Sequence, residues 1–565
     1  MTAPPDSPNF ESHNISQVFQ TWSSSRTKLA QALNEYQLSS IGLKKAVEIA
    51  TYDSGSYRAI EQALFGIDLE IDTLQSGEEQ LAKTRVALSH VRNASHNLAP
   101  IHRLPLETLS AVFILANRRC LRMKEGNLLE QFSPTHLFPT ALASVCARWR
   151  RIAHNTPALW SHIDILAGRD RVSSDLTWAS LWVSRARGLP LDVDVWEYKS
   201  NGRDTPRPPD PRMNQTTIEF LRPLIGQMSE FRLFISSQSL LDALIGCWSE
   251  YSPASGSKSF QVLDSPFAHG RTTLRVLSER SQADQFNNAF RTCHTLSIRK
   301  CEGFSRVMFH EGLLELRLEG LDIEGLFPSK SQLAAALAAA PNLRTLAMNN
   351  VEIVDPKSVP DDFEPTPVIM NHLNSLTLER LGDYRSEVTM FKLLVVRSES
   401  LRMSITLSDD PKVITAAHSF FSRTKVTALH VGSSLDTTPL SLDEILCPMP
   451  YLEEIAIAHC QIKKRHLNYI KVPQPNGQAY VLWPHVQMFS ITFSPIDWTC
   501  LRDLVQFNSI KSLHLYRTWI SGKSKPMSDH QCHKLKKRLD MVQDLKVESG
   551  LKESPSINWD FVIMP

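Results

Sequence analysis

Apolar residues recur in three rhythms along this chain, and each rhythm predicts a different kind of element. From Ile15 to about Leu98 the spacing is helical, broken only at DSGS (53–56). In the second half of that stretch Ile60, Ile67, Leu74, Leu81 and Leu88 recur every seven residues. The matching second heptad positions are poor, because Glu70, Gly77 and Thr84 fall there. The pattern predicts an antiparallel helical hairpin or a weak coiled coil over 15–98, not a strong parallel dimer. Weak self-association through these helices is an accompanying expectation.

The rhythm changes after Pro100. IHRLPLETLSAVFILA (101–116) opens with a proline where a first helical turn tolerates it, and with Glu107 where the helix dipole favours an acid. Leu106, Leu109, Phe113 and Ala116 share one face, with Val112 beside them. A polar loop is expected over roughly 117–139. A second helix is expected over about 140–154, with Leu142, Val145, Trp149 and Ile152 in one stripe. Thr156-Pro157 reads as the start of a third, short helix carrying Leu159 and Trp160.

Beyond this point short LxxLxL stretches recur. The clearest are LLELRLEGL (313–321), LRTLAMNNVEI (343–353) and LNSLTLERL (373–381). Fainter copies are VTALHV (426–431), LEEIAIAHCQI (452–462), VQMFSI (486–491) and IKSLHL (510–515), with TLSI (295–298) and LPLDVDV (189–195) upstream. Leu318, Met348 and Leu378 stand thirty positions apart; later intervals drift over about 24 to 34, within the range of stacked repeats. A strand whose alternate leucines face a helix cannot bury that face alone, so stacking is required. The spacing points to an irregular leucine-rich-repeat α/β solenoid over 175–565; a doubly wound βαβ sheet is the competing arrangement. Two proline-rich stretches, 200–216 and 352–367, are expected to be flexible loops, and residues 1–14 a disordered tail.

Composition narrows the function classes. With 61 basic against 59 acidic residues the net charge is +2, which offers no electrostatic case for nucleic acid or a membrane surface. The longest apolar run, LAAALAAA (333–340), is far short of the roughly 18 residues that a spanning helix needs. The N-terminus has no basic segment followed by an apolar one, so no signal peptide is expected. Nine scattered cysteines without a CxxC pair read as reduced thiols, in the cytoplasm, the nucleus or both.

Chemistry-bearing motifs are weak. GKS (522–524) follows a strand, but a phosphate loop needs glycine at 517, where Arg517 stands. His530, Cys532 and His533 have no second ligand pair at zinc-finger spacing. His310-Glu311 lacks a second histidine, and Cys146 on an apolar stripe reads as a small buried hydrophobe rather than a nucleophile. KLKKR (534–538) and KKRH (463–466) fit either nuclear-import signals or charged helix faces, of which the latter is preferred. No catalytic residue, metal ligand or cofactor is expected.

Residues 101–160, in contrast, carry Leu104-Pro105, Glu107, Leu109 and Val112-Phe113, then Leu142, Val145-Cys146, Trp149-Arg150, Ile152-Ala153 and Pro157-x-Leu159-Trp160. This order of LPxE, VCxxWRxIA and PxLW resembles the F-box, the helical module by which substrate receptors dock on the Skp1 adaptor of cullin-based ubiquitin ligases. The spacer between the halves is about ten to twenty residues longer than in the compact form, and Thr108 stands where an aliphatic residue is common. Together with the preceding heptad helix and LWVSRARGLPLDVDV after the box, the stretch over roughly 57–198 resembles the large F-box-like families of mushroom-forming fungi.

The resemblance implies a three-helix F-box over 99–165, giving an α+α/β chain overall. It implies Skp1 contact through Leu104, Pro105, Leu109, Val112, Phe113, Leu142, Val145, Cys146, Trp149, Ile152, Pro157, Leu159 and Trp160, and through Skp1 a cullin. The repeats would then hold an unknown protein substrate, and the chain would be an adaptor without chemistry of its own. The alternative is a repeat scaffold with no ligase role, in which the same apolar residues serve the module's own core.

Overall fold

Uninterrupted helical spacing without proline produces two long helices, α1 (Ile15–Ala50) and α2 (Tyr57–Ala94). The computed structural model describes residues 15–50, 57–94, 100–119, 137–167, 172–197, 211–235, 237–251, 258–264, 274–275, 290–299, 301–302, 309–321, 329–353, 366–433, 447–459, 471–473, 479–481, 483–496, 501, 505, 510–516, 518–520, 542 and 544–548. Two compact units result, Met1–Pro105 and Leu106–Pro565.

In the first unit, Tyr36 Oη donates to Glu70 Oε1 at 2.9 Å. The two residues are nearly equidistant from the α1–α2 connection, which is the geometry of an antiparallel hairpin. The heptad row is not used up in this pairing: Leu74, Leu81 and Leu88 stay exposed, as do Leu29, Leu33 and Leu43 on α1. A single-turn 3-10 segment, Pro100–Arg103, closes the described part of this unit. The tail 1–14 lies outside the described residues.

The second unit begins with α3 (Leu106–Arg119), α4 (Leu137–Val145), α5 (Ala147–His154) and a 3-10 turn, Pro157–Leu159. The helix expected over 140–154 is therefore two helices. Cys146 has extended backbone (φ −160°, ψ 169°) and acts as the N-cap of α5, its Sγ accepting from Trp149 N at 3.4 Å.

A fourteen-stranded sheet follows: β1 (His162–Ala167), β2 (Leu191–Glu197), β3 (Met228–Ile235), β4 (Lys258–Asp264), β5 (Cys293–Arg299), β6 (Glu315–Leu321), β7 (Thr345–Val351), β8 (Ser375–Glu379), β9 (Leu401–Leu407), β10 (Val426–Ser433), β11 (Glu454–Ala458), β12 (Met488–Thr492), β13 (Ser512–Tyr516) and β14 (Asp544–Glu548). Every neighbouring pair is parallel, and the strands lie in sequence order with no reversal.

The register explains the LxxLxL signal. One apolar row runs Ile163, Val193, Phe231, Phe260, Leu296, Leu316, Leu346, Leu376, Met403, Leu429, Ile455, Phe489 and Leu513 across β1 to β13. Its companion, two residues further along each strand, includes Leu318, Met348, Leu378, Ile405, Val431, Ile457, Ile491 and Leu515. These side chains are buried. Each is stabilising by about 1.5–3 kcal/mol relative to exposure, and a one-residue slip would turn the whole row outward.

Helices complete the core. On α8 (Gln238–Tyr251) Trp248 stacks on Phe231 at 5.3 Å, and Phe231, Phe260 and Phe290 continue the aromatic contact. On α9 (Lys330–Ala338) Ser329 and Gln332 form a reciprocal capping box. Asp383 caps α10 (Tyr384–Leu393) and Asp410 caps α11 (Pro411–Arg423). Two further helices, α6 (Val172–Ala186) and α7 (Pro211–Leu221), precede these. The last takes in residues 211–216 of the loop expected over 200–216, the rest of which lies outside the described residues. Pro211 opens the helix because its missing N–H has no partner in a first turn. Most of the 352–367 loop lies outside the described residues.

The backbone repeats as well as the side chains. Two positions after the companion row, Gly320 (φ 63°), Asn350 (53°), Arg380 (50°), His459 (55°) and Phe493 (47°) all adopt the left-handed conformation. Four of these five carry a side chain, so the turn is imposed by the fold at a local cost of about 1–2 kcal/mol each. No helix among the described residues is long and apolar enough to cross a membrane.

Candidate docking surfaces

The helical module at the start of the second unit is built around aromatic contacts. Phe113 on α3 and Trp149 on α5 place their rings 4.8 Å apart. Trp160 is fully buried: its Nε1 donates to Ala153 O at 2.8 Å, its ring meets Trp182 of α6 edge-on at 5.8 Å, and the Arg185 guanidinium lies 4.3 Å over it. Thr156 Oγ1 donates to Ile152 O at 2.8 Å, and Arg150 Nε to Ala143 O at 2.9 Å.

Thirteen residues were expected to face an adaptor, and they divide by burial. Leu109, Phe113, Leu142, Cys146, Ile152, Leu159 and Trp160 are buried and form the module's own core. Trp149 and Pro157 are half-buried. Val112 and Val145 are 41% and 40% exposed. Leu104 and Pro105 belong to the first unit, half-buried and exposed respectively. Leu106 and Leu115, which were not in the expected set, are exposed apolar residues on α3. The helical stripe reveals which residues are apolar; it does not reveal which side of the stripe remains uncovered.

The second surface is the sheet face opposite the apolar rows, where the alternate strand residues are mostly polar. A groove of about 550 Å3 there is lined by residues including Asp192, Glu230, Gln261, Ser297, Glu315 and Arg317. Gln261 Nε2 donates to Glu230 Oε1 at 2.8 Å, and Ser229 Oγ to Asp192 Oδ1 at 2.8 Å. Both charge signs line it, so it suits a polar peptide surface better than a uniformly charged polymer.

Further along the same face the strand register joins a serine, a histidine and an acid that lie 25 and 26 positions apart in sequence, on three neighbouring strands. Ser404 Oγ donates to Glu379 Oε1 at 2.7 Å and lies 2.9 Å from His430 Nδ1. The order is wrong for a nucleophile, because a histidine base must stand between serine and acid. Burial also lowers the His430 pKa to about 4, and Ser404 is buried. This is a hydrogen-bonded tie across three strands. Cys146, Cys247, Cys293 and Cys447 are buried, and burial pushes the Cys293 and Cys447 thiols up to about 12, which makes them poor nucleophiles. GKS (522–524) and the His530, Cys532 and His533 cluster lie outside the described residues.

Comparison with protein-family models found no matching family. Comparison with curated proteins likewise found no match.

Proposed function

We propose that this chain is a substrate-recruiting subunit of an SCF-type ubiquitin ligase, with an F-box that docks on a Skp1-like adaptor and a repeat array that holds a protein target. The observation that carries this reading is the exposure of Val112 and Val145 on a module whose core is already filled by Leu109, Phe113, Leu142 and Trp160. A helical module of this size has no internal need for further aliphatic surface, and an adaptor would cover it. The resemblance of the LPxE, VCxxWRxIA and PxLW order to the F-box is what points to Skp1 as the adaptor.

The array is an irregular leucine-rich-repeat solenoid. Sequence-ordered parallel strands, two continuous apolar rows and the recurring left-handed residue support this over a doubly wound sheet, whose strand order must reverse at a switch point. The chain itself performs no bond chemistry. Holding a target near a ubiquitin-charged enzyme raises effective concentration and makes the transfer nearly intramolecular.

A second reading, a repeat scaffold with no ligase role, is favoured by the burial of seven motif residues in the module's own core. Affinity purification of the full chain separates the two. Recovery of Skp1 and a cullin, lost on Val112→Asp with Val145→Asp, supports the ligase reading. A folded chain that recovers neither supports the scaffold.

A further inference from the structure

At the first edge of the sheet, His162 and Asp164 alternate along β1, and Asp194 lies on β2 in register with Asp164. The strand period of two places all three on one face. His162 Nε2 is 3.4 Å from Asp164 Oδ1 and 3.9 Å from Asp194 Oδ2, and one donor atom from each residue lies within 4.8 Å of the others. Their side chains are only 12%, 9% and 4% exposed.

Two features single this cluster out from a chance grouping of acids. Both ring nitrogens of His162 and Oδ2 of Asp164 are buried without a hydrogen-bond partner. Leaving such atoms unsatisfied costs about 1–3 kcal/mol each, which an ion pair between a protonated His162 and the two carboxylates, a water or a bound cation would offset. Meanwhile the other carboxylate oxygens are held from outside. Trp196 Nε1 donates to Asp164 Oδ1 at 3.3 Å, and that indole is stacked on Phe234 at 3.5 Å. Arg232 Nε donates to Asp194 Oδ1 at 2.6 Å while its own charge is shared with Glu230 at 3.2 Å. Outer contacts that orient carboxylates and leave one oxygen of Asp194 facing an imidazole are the second layer that a metal centre requires.

We propose that His162, Asp164 and Asp194 bind one divalent transition-metal ion of zinc-like character, which pins the first strand of the sheet to the second. Tetrahedral ligands at about 2.1 Å from an ion stand about 3.4 Å from one another. Here His162 Nε2 is 3.4 Å from the Asp164 oxygen that Trp196 also holds and 3.9 Å from Asp194 Oδ2, with donors within 4.8 Å overall, so binding draws the side chains together. An imidazole in the donor set favours zinc and its neighbours over magnesium or calcium. Two carboxylates neutralise the ion, the Arg232 charge being offset by Glu230. Three protein donors leave a fourth position for a water. The ion would fasten the strand that follows Trp160 directly, and so the anchorage of the helical module on the sheet.

The test uses the full chain, stripped with a chelator and titrated with zinc chloride and with cobalt chloride. The expected result is uptake of zinc with a rise in Tm, and visible cobalt d–d bands. One equivalent of uptake should be lost in Asp164→Asn, which keeps an oxygen for Trp196, and in His162→Gln. Wild-type protein that takes up no ion, or variants that keep the wild-type stoichiometry and cobalt spectrum, would overturn the proposal. Should either variant fold poorly, X-ray absorption of the wild-type zinc complex decides. A shell of oxygen and imidazole nitrogen supports the assignment, and a sulfur-containing shell refutes it.

Discussion

The rings of Phe113 on α3 and Trp149 on α5 lie 4.8 Å apart and join one half of the 101–160 pattern to the other. Phe113 is buried, and its neighbour in sequence, Val112, is exposed. Adjacent residues therefore differ in role: Phe113 fills the module's core and Val112 faces solvent.

Phe113→Ala should destabilise the second unit by about 3–5 kcal/mol, the usual cost of removing a buried phenylalanine. Val112→Asp should change stability by less than about 1 kcal/mol, because it replaces a partly exposed side chain. Urea denaturation of both variants checks this, with intrinsic tryptophan fluorescence as the probe. Equal losses in the two would mean that Val112 is packed in solution.

The recurring left-handed residue makes a separate prediction. Asn350 tolerates φ 53° better than most side chains, and a β-branched residue does not. Asn350→Val should cost about 1–2 kcal/mol, whereas Asn350→Gly should be close to neutral. Thermal melts of the pair test whether the turn is imposed by the repeat.

Glu387 on α10 predicts a pH dependence. Burial pushes its carboxyl up to about 7, although the Ser408 N–H and hydroxyl both donate to it, at 3.2 and 3.0 Å, and Asp383 and Asp410 push it further. The folded form thus favours the proton more than the unfolded chain does. The stabilisation is complete below the ordinary carboxyl range and is lost as pH rises through about 7. Glu387→Gln keeps an oxygen for Ser408 and should remove this contribution. Its stability should match wild type near pH 5 and exceed it near pH 8 by about 2 kcal/mol. Parallel stability curves for the two proteins would contradict the burial argument.

The sequence was informative wherever one short segment contains the whole signal. LLELRLEGL, LRTLAMNNVEI and LNSLTLERL each show two apolar row residues, and each is a strand. Met228–Ile235 and Leu401–Leu407 went unrecognised although they carry the same rows, since Phe234 interrupts one alternation and LRMSITL lacks the leucine spacing. The break at Cys146 was hidden because an apolar stripe continues through a short cap without changing phase. The His162, Asp164 and Asp194 group was invisible for a different reason. Asp194 is thirty residues from Asp164, and only strand register brings them together. On the helical module, periodicity grouped Phe113 with Val112 but held no information on which one solvent reaches.

On the proposed function, the uncovered aliphatic side chains of this module receive an adaptor. Direct titration of the full chain with purified Skp1, by calorimetry, tests it with wild type beside a Val112→Asp and Val145→Asp double variant of unchanged Tm. The expected result is saturable binding by wild type and at least a tenfold weaker Kd in the variant, a loss of about 1.4 kcal/mol or more. Equal affinities, or no binding by the folded wild-type chain, would contradict it.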